Sequence, residues 1–109
     1  MDIKLNQNEY QETLENNKIV LLDFYADWCG PCQTLLPTIQ KLAEEYEGKV
    51  AIKKVNVDEN SELASQFQVR SIPTLIYFSE GQVVGRLTGL APESELKTQL
   101  NKLISASKN

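Results

Sequence analysis

The run Asp23-Phe24-Tyr25-Ala26-Asp27-Trp28-Cys29-Gly30-Pro31-Cys32 carries both cysteines of a 109-residue chain. An apolar segment, Ile19-Val20-Leu21-Leu22, feeds into it. After it, Leu35, Ile39, Leu42, Ala43 and Tyr46 recur at helical spacing. The cysteines therefore fall where a buried strand turns into a helix. Free backbone N–H groups and the positive end of the helix dipole favour an anion at such a place. A thiolate is such an anion, and lowering a thiol's pKa is what makes a cysteine reactive near neutral pH.

The elements on either side follow from periodicity and turn chemistry. Ile3–Leu5 reads as a short first strand. Asn6 with Glu9 forms a capping box that opens a first helix, in which Tyr10 and Leu14 make an apolar pair. Ile19–Tyr25, apolar apart from Asp23, reads as a central strand covered on both faces. The helix after Cys32 runs to about Glu47, is kinked by Pro37 and ends at Gly48. Val50–Val57 is the next strand, with Ala51, Lys53, Val55 and Val57 on one face and Val50, Ile52, Lys54 and Asn56 on the other. A turn at Asp58–Ser61 leads to a short helix that buries Leu63, Ala64 and Phe67. Leu75–Phe78 and Gln82–Leu87 are the arms of a hairpin turning at Glu80-Gly81. Pro92 opens a last helix with the stripe Leu96, Leu100, Leu103 and Ile104, and Ser105–Asn109 is expected to fray. The outcome is an α/β sandwich, a mixed sheet of about five strands flanked on both faces by about four helices in three layers. Sheets of this kind place functional sites at the carboxyl ends of strands, where Asp23–Cys32 lies.

Length and composition limit the rest. A chain of 109 residues makes one domain, 1–109, with a single core. A net charge of −4 argues against a nucleic-acid partner. The longest apolar runs, Ile19–Leu22 and Leu75–Phe78, are too short to span a bilayer. The amino terminus, Met1–Asn6, has no apolar stretch of the signal-peptide kind, which predicts a cytoplasmic location. In a reducing cytosol, paired cysteines are more often catalytic or metal-binding than structural. There is no histidine, which removes Cys-His and Ser-His nucleophile pairs and every imidazole metal site. A zinc site would need further thiolates from a second chain. The five glycines form no phosphate-cradling loop and no dinucleotide fingerprint, so no cofactor is expected and electrons must arrive through the thiols.

Disulfide exchange needs an attacking thiolate, a second thiol that releases the mixed disulfide, and a route for a proton. Cys29 and Cys32, three apart at a helix start, can pair as a disulfide. Cys29 lies nearer the open end and reads as the nucleophile, and Cys32, one turn in, as the resolving thiol. Pro31 stiffens the turn, and Gly30 lets a partner backbone approach. A purely stabilising disulfide is the competing reading, but so short a loop removes little unfolded-state entropy. Asp23 interrupts an apolar strand. Burial should raise its pKa and make it a general base for Cys32, unless it merely ends the strand or caps a neighbour. Lys54 is either its charge partner on the next strand or an ordinary exposed lysine beside Lys53. Trp28 reads as covering the site or contacting substrate, and core packing is a second reading that excludes neither. Pro73 before a strand predicts a special turn, with a cis bond as one of its forms, and spacing alone does not place it near the cysteines.

Trp28-Cys29-Gly30-Pro31-Cys32 resembles the active-site motif of the thioredoxin family. The resemblance extends along nearly the whole chain through Asp23, Pro37, Ile72-Pro73-Thr74, Gly81 and Gly89. It implies the thioredoxin fold and a protein-disulfide reductase. Cys29 would attack and Cys32 resolve, with Asp23 as buried proton acceptor and Lys54 near it. Pro73 would be a cis-proline facing the cysteines. Backbone around Ile72 would pair with the substrate chain, and Trp28, Gly89 and the Ile72–Pro73 turn would line the docking surface. The implied partners are thioredoxin reductase as electron donor and oxidised clients such as ribonucleotide reductase, peroxiredoxins and methionine sulfoxide reductases, met by a monomer. Tyr25 stands where many members carry a second tryptophan, and Gln33 where a lysine or arginine is frequent. An oxidase or isomerase of the same fold, or a binding subunit without redox turnover, are the alternatives. Gly30-Pro31 between the cysteines resembles the reductase type.

Overall fold

The computed structural model describes residues 1–107. Its centre is β1, Ile19–Tyr25, buried from end to end. β2, Ala51–Asn56, runs parallel to it on one side. β3, Thr74–Ser79, runs antiparallel on the other, and β4, Gln82–Thr88, pairs antiparallel with β3 as the edge. The strand order is β2-β1-β3-β4. The helices are α1 at Tyr10–Asn16, α2 at Gly30–Glu45, α3 at Ser61–Gln66 and α4 at Glu93–Ala106. This is the α/β architecture expected, with one strand fewer.

The missing strand is Ile3–Leu5. Two hydrogen bonds tie it in parallel to β2, from the Leu5 N–H to the Lys54 carbonyl (2.9 Å) and from the Lys54 N–H to the Ile3 carbonyl (2.8 Å). Only Lys4 forms a bridge there. The chain turns into a 3-10 turn at Gln7–Glu9 before a ladder can lengthen. At that turn the Glu9 carboxylate accepts the Asn6 N–H at 3.0 Å, the expected cap contact.

Side-chain alternation decides which helix covers which face. Ile19, Leu21, Ile52, Leu75 and Tyr77 point to one face and pack with Leu35, Ile39 and Leu42 of α2 and Leu96 and Leu100 of α4. Val20, Leu22, Phe24, Val55, Ile76 and Phe78 point to the other, where Tyr10 and Leu14 of α1 and Leu63 and Ala64 of α3 close over them. Phe67 joins that second layer, edge-on to Tyr10 at 5.6 Å and to Phe78 at 5.5 Å between ring centroids. The β2 faces are those the sequence predicts.

Boundaries shift by small amounts for local reasons. α2 ends at Glu45, and Gly48, with φ +87°, supplies the left-handed residue of the turn that follows. The helix passes through Pro37 without breaking. Pro92 caps α4 instead of starting it. Its backbone is extended, and its carbonyl accepts the Glu95 and Leu96 N–H groups. Against the expectation of fraying from Ser105, α4 continues to Ala106, and residues 108–109 lie outside the described residues. Ser79 and Gln82 pair across a two-residue turn in which Glu80 (φ +51°) and Gly81 (φ +80°) are both left-handed, as a tight hairpin with matched twist requires. Among the described residues no helix is long and apolar enough to cross a membrane.

Candidate active site

β1 delivers the chain to the carboxyl edge of the sheet, and α2 leaves from it. The connection Ala26-Asp27-Trp28 closes with a hydrogen bond from the Cys29 N–H to the Ala26 carbonyl at 3.2 Å. Cys29 is the N-cap of α2, with extended backbone (φ −91°, ψ 110°), and Gly30 and Pro31 are the first helical residues. An N-cap side chain accepts the exposed amides of the first turn. Here the Cys29 Sγ accepts the Cys32 N–H at 3.2 Å. Any negative charge forming on that sulfur meets this N–H and the helix dipole.

Cys29 and Cys32 are joined as a disulfide, their Cα atoms 5.2 Å apart. Cys29 retains 5% exposure and Cys32 none, so of the two residues only Cys29 touches solvent. Proline at the second helical position loses no hydrogen bond, because that amide has no acceptor within the helix. Around Gly30 an added Cβ would meet nothing of this chain, which leaves the approach to the cysteines open. The Gln33 side chain donates to the Ala26 carbonyl at 3.3 Å and so braces the turn below them.

Asp23 lies on the α2 face of β1, between Leu21, which packs with Leu35, and Tyr25, which packs with Cys29 and Cys32. Its carboxyl group therefore faces the first turns of α2. It is fully buried, and among the described residues no group hydrogen-bonds either oxygen. Desolvation pushes its pKa from 3.8 up to about 7, and the positive charge of Lys54 offsets only part of that rise. Lys54 is the register partner of Asp23 on β2. Its ammonium group sits over the Tyr25 ring, 5.4 Å from the centroid. The juxtaposition of Asp23 and Lys54 expected from the sequence is thus present, with Tyr25 as the group the ammonium covers.

Trp28 is 71% exposed, which removes core packing as its role. The indole N–H donates to the Asp58 carboxylate at 2.8 Å, across 30 residues of sequence. From the sequence Asp58 is only a turn residue. A contact between two loops of unrelated local pattern leaves no periodic trace.

The segment before β3 completes the surface. The Ile72–Pro73 bond is cis. The Ile72 carbonyl oxygen is 3.7 Å from the Cys29 Sγ, 43 residues away in sequence, and the Ile72 side chain packs against Cys29 and Cys32. The Pro73 carbonyl accepts the Gly89 N–H at 2.8 Å, and Gly89 (φ +96°) needs the conformational freedom of glycine there. The structure therefore brings Ile72 onto the Cys29 sulfur, with Pro73 next to it in the chain and Gly89 hydrogen-bonded to Pro73, while Trp28 and Gly30 flank Cys29 in sequence. Pro73 and Gly89 arrive through the β1–β3–β4 pairing, which no local motif encodes.

Comparison with known proteins agrees with this geometry. The family described as Thioredoxin matches residues 2–102. Thioredoxin 1 of Nostoc sp. is 47% identical over 92 residues, covering 84% of this chain and 86% of that protein. A thioredoxin of Pyropia yezoensis is 45% identical over 95 residues, covering 87% and 89%. Among solved structures, a point-mutant thioredoxin from Halobacterium salinarum superposes with a TM-score of 0.85 at 42% identity, covering 93% of this chain and 88% of that one.

Proposed function

The chain belongs to the thioredoxin family and is a thiol–disulfide oxidoreductase; we propose that it reduces protein disulfides with Cys29 as nucleophile and Cys32 as resolving thiol. The observation that carries this assignment is the unequal access of the two cysteines, Cys29 slightly exposed at a helix N-cap and Cys32 fully buried a turn below. In the reduced protein the Cys29 thiolate attacks one sulfur of a client disulfide. A mixed disulfide forms and the first client thiolate leaves. The Cys32 thiol gives its proton toward Asp23 and attacks the Cys29 sulfur. The second client thiolate leaves, and the Cys29–Cys32 disulfide forms. Two electrons have passed to the client, and its thiolates take up protons.

Asp23 suits the proton step because a carboxyl group titrating at about 7 is half ionised at neutral pH. Lys54 tunes that ionisation from the neighbouring strand. Trp28, Gly30, Pro31, Ile72, Pro73 and Gly89 supply the docking surface. The client backbone lies along the Ile72–Pro73 turn, where extended chain can pair with extended chain. Thioredoxin reductase returns two electrons to the disulfide, and oxidised ribonucleotide reductase, peroxiredoxins and methionine sulfoxide reductases are the clients. The protein works as a single-domain monomer in the cytoplasm, a compartment whose reducing poise suits a dithiol donor.

Cysteine replacement tests the order of events. With insulin as disulfide substrate, Cys29→Ser should abolish reduction. Cys32→Ser should accumulate a covalent Cys29–insulin adduct, visible by mass spectrometry and released by dithiothreitol. A covalent insulin adduct trapped on Cys32 in the Cys29→Ser protein, with none on Cys29 in Cys32→Ser, would reverse the assignment.

A further inference from the structure

Arg86 lies on β4, outside every motif noted above, and is exposed. Its guanidinium nonetheless makes two directed contacts. Nη1 donates to the Phe67 carbonyl at 2.6 Å and Nη2 to the Gln68 carbonyl at 2.9 Å. These carbonyls belong to the C-cap residue of α3 and the residue after it, where the chain leaves the helix at the negative end of its dipole. A planar two-donor cation fits that place as lysine does not. Gln68 is left-handed (φ +52°), and the next amide, Val69, returns to the Ala64 carbonyl at 2.9 Å. The chain has been turned here, and what it is turned into is Val69–Pro73.

The far end of that segment is fastened by the same strand. Gly89, just beyond β4, donates to the Pro73 carbonyl, and Thr88 lies opposite Thr74 in the ladder. Thr74 in turn donates its hydroxyl to the Ser71 carbonyl at 2.5 Å. β4 therefore holds Val69–Pro73 at both ends, by backbone at Pro73 and by the Arg86 side chain at Gln68. Between the two anchors lies Ile72, whose carbonyl faces the Cys29 sulfur.

We infer that Arg86 is a positioning residue for client docking, which it serves by fixing the entry of the Val69–Pro73 segment so that the Ile72 backbone is preset for a substrate chain. The inference rests on the docking role proposed above for Ile72. Preorganisation of this kind improves association with a protein substrate without touching sulfur chemistry.

Insulin reduction driven by dithiothreitol, followed for wild type and for Arg86→Ala, Arg86→Lys and Ile72→Asp, tests it. Iodoacetamide alkylation of reduced Cys29 serves as a probe that needs no docking segment. Arg86→Ala should raise KM for insulin roughly fivefold, as expected for two lost charge-assisted hydrogen bonds at an exposed site, with kcat and the alkylation rate unchanged. Arg86→Lys, which can reach one carbonyl at a time, should fall between. It decides the matter alone if the alanine variant does not fold, and an unchanged KM there overturns the inference. A KM unchanged in Arg86→Ala but raised in Ile72→Asp would overturn the role of Arg86 and leave the docking role of Ile72 standing. A KM unchanged in all three would overturn both. Equal losses in alkylation and insulin reduction would also overturn it, because Arg86 would then act through the thiol.

Discussion

The carboxyl group of Asp23 is fully buried, and among the described residues none donates a hydrogen bond to stabilise its charge. That has a pH signature. In the unfolded chain it titrates near 3.8 and in the folded protein at about 7. Between these values the folded state keeps a proton that the unfolded state has lost. Stability therefore falls as pH rises through this window, and the loss is complete above it. About three pKa units at 1.36 kcal/mol each give a total near 4 kcal/mol. Asp23→Asn removes the titration, so its stability relative to wild type should climb by roughly 2 to 3 kcal/mol between pH 5 and pH 8 in urea unfolding. Parallel pH profiles for the two proteins would refute this reading. The same substitution should slow resolution of a mixed disulfide and remove its rise with pH near 7, measured by stopped-flow on the reduced protein. The polar break at Asp23 in an apolar strand was legible in the sequence. The Tyr25 ring beneath the Lys54 ammonium was not, since a cation–π contact between neighbouring strands follows from register.

At the scale of elements, the strand-to-helix junction was readable because its signals are local: apolar run, turn, proline in the first helical turn, then helical spacing. The position of Cys29 and Cys32 at the start of α2 could be read from that junction. The other half of the site is assembled by sheet pairing across some forty residues, from Cys29 to Ile72, and by a hydrogen bond between separate loops, from Trp28 to Asp58. For these parts the sequence offered a family pattern at Ile72–Pro73 and no pattern at all at Asp58. Ile3–Leu5 shows the converse. Its apolar alternation promised a strand, and competition from the turn at Gln7 left a single bridge. Trp28 is the only tryptophan, so the Asp58 contact can be watched directly. Asp58→Ala should shift its emission and lower its anisotropy as the indole becomes mobile. Unfolding free energy should change by no more than about 1 kcal/mol, as for one exposed hydrogen bond. Unchanged anisotropy would mean that Trp28 is held by something else.

Across the whole molecule, a four-stranded sheet covered on both faces concentrates stability in two apolar layers and leaves its working groups at one edge. Phe78, fully buried in the α1–α3 layer, lies remote from the cysteines at the other end of the β1–β3 ladder. Phe78→Ala should cost about 3 to 5 kcal/mol in urea unfolding. The fraction that remains folded should retain the Cys29–Cys32 redox equilibrium. The direction of electron flow is the account's central claim, and the reduction potential of the Cys29–Cys32 pair measures it. Equilibration against dithiothreitol and glutathione buffers, with the dithiol fraction read by alkylation and mass, should give a value more negative than the cytosolic glutathione pool, so that the dithiol drives client reduction. A value above that pool would mean that the protein withdraws electrons from its clients, and the reductase account would fall.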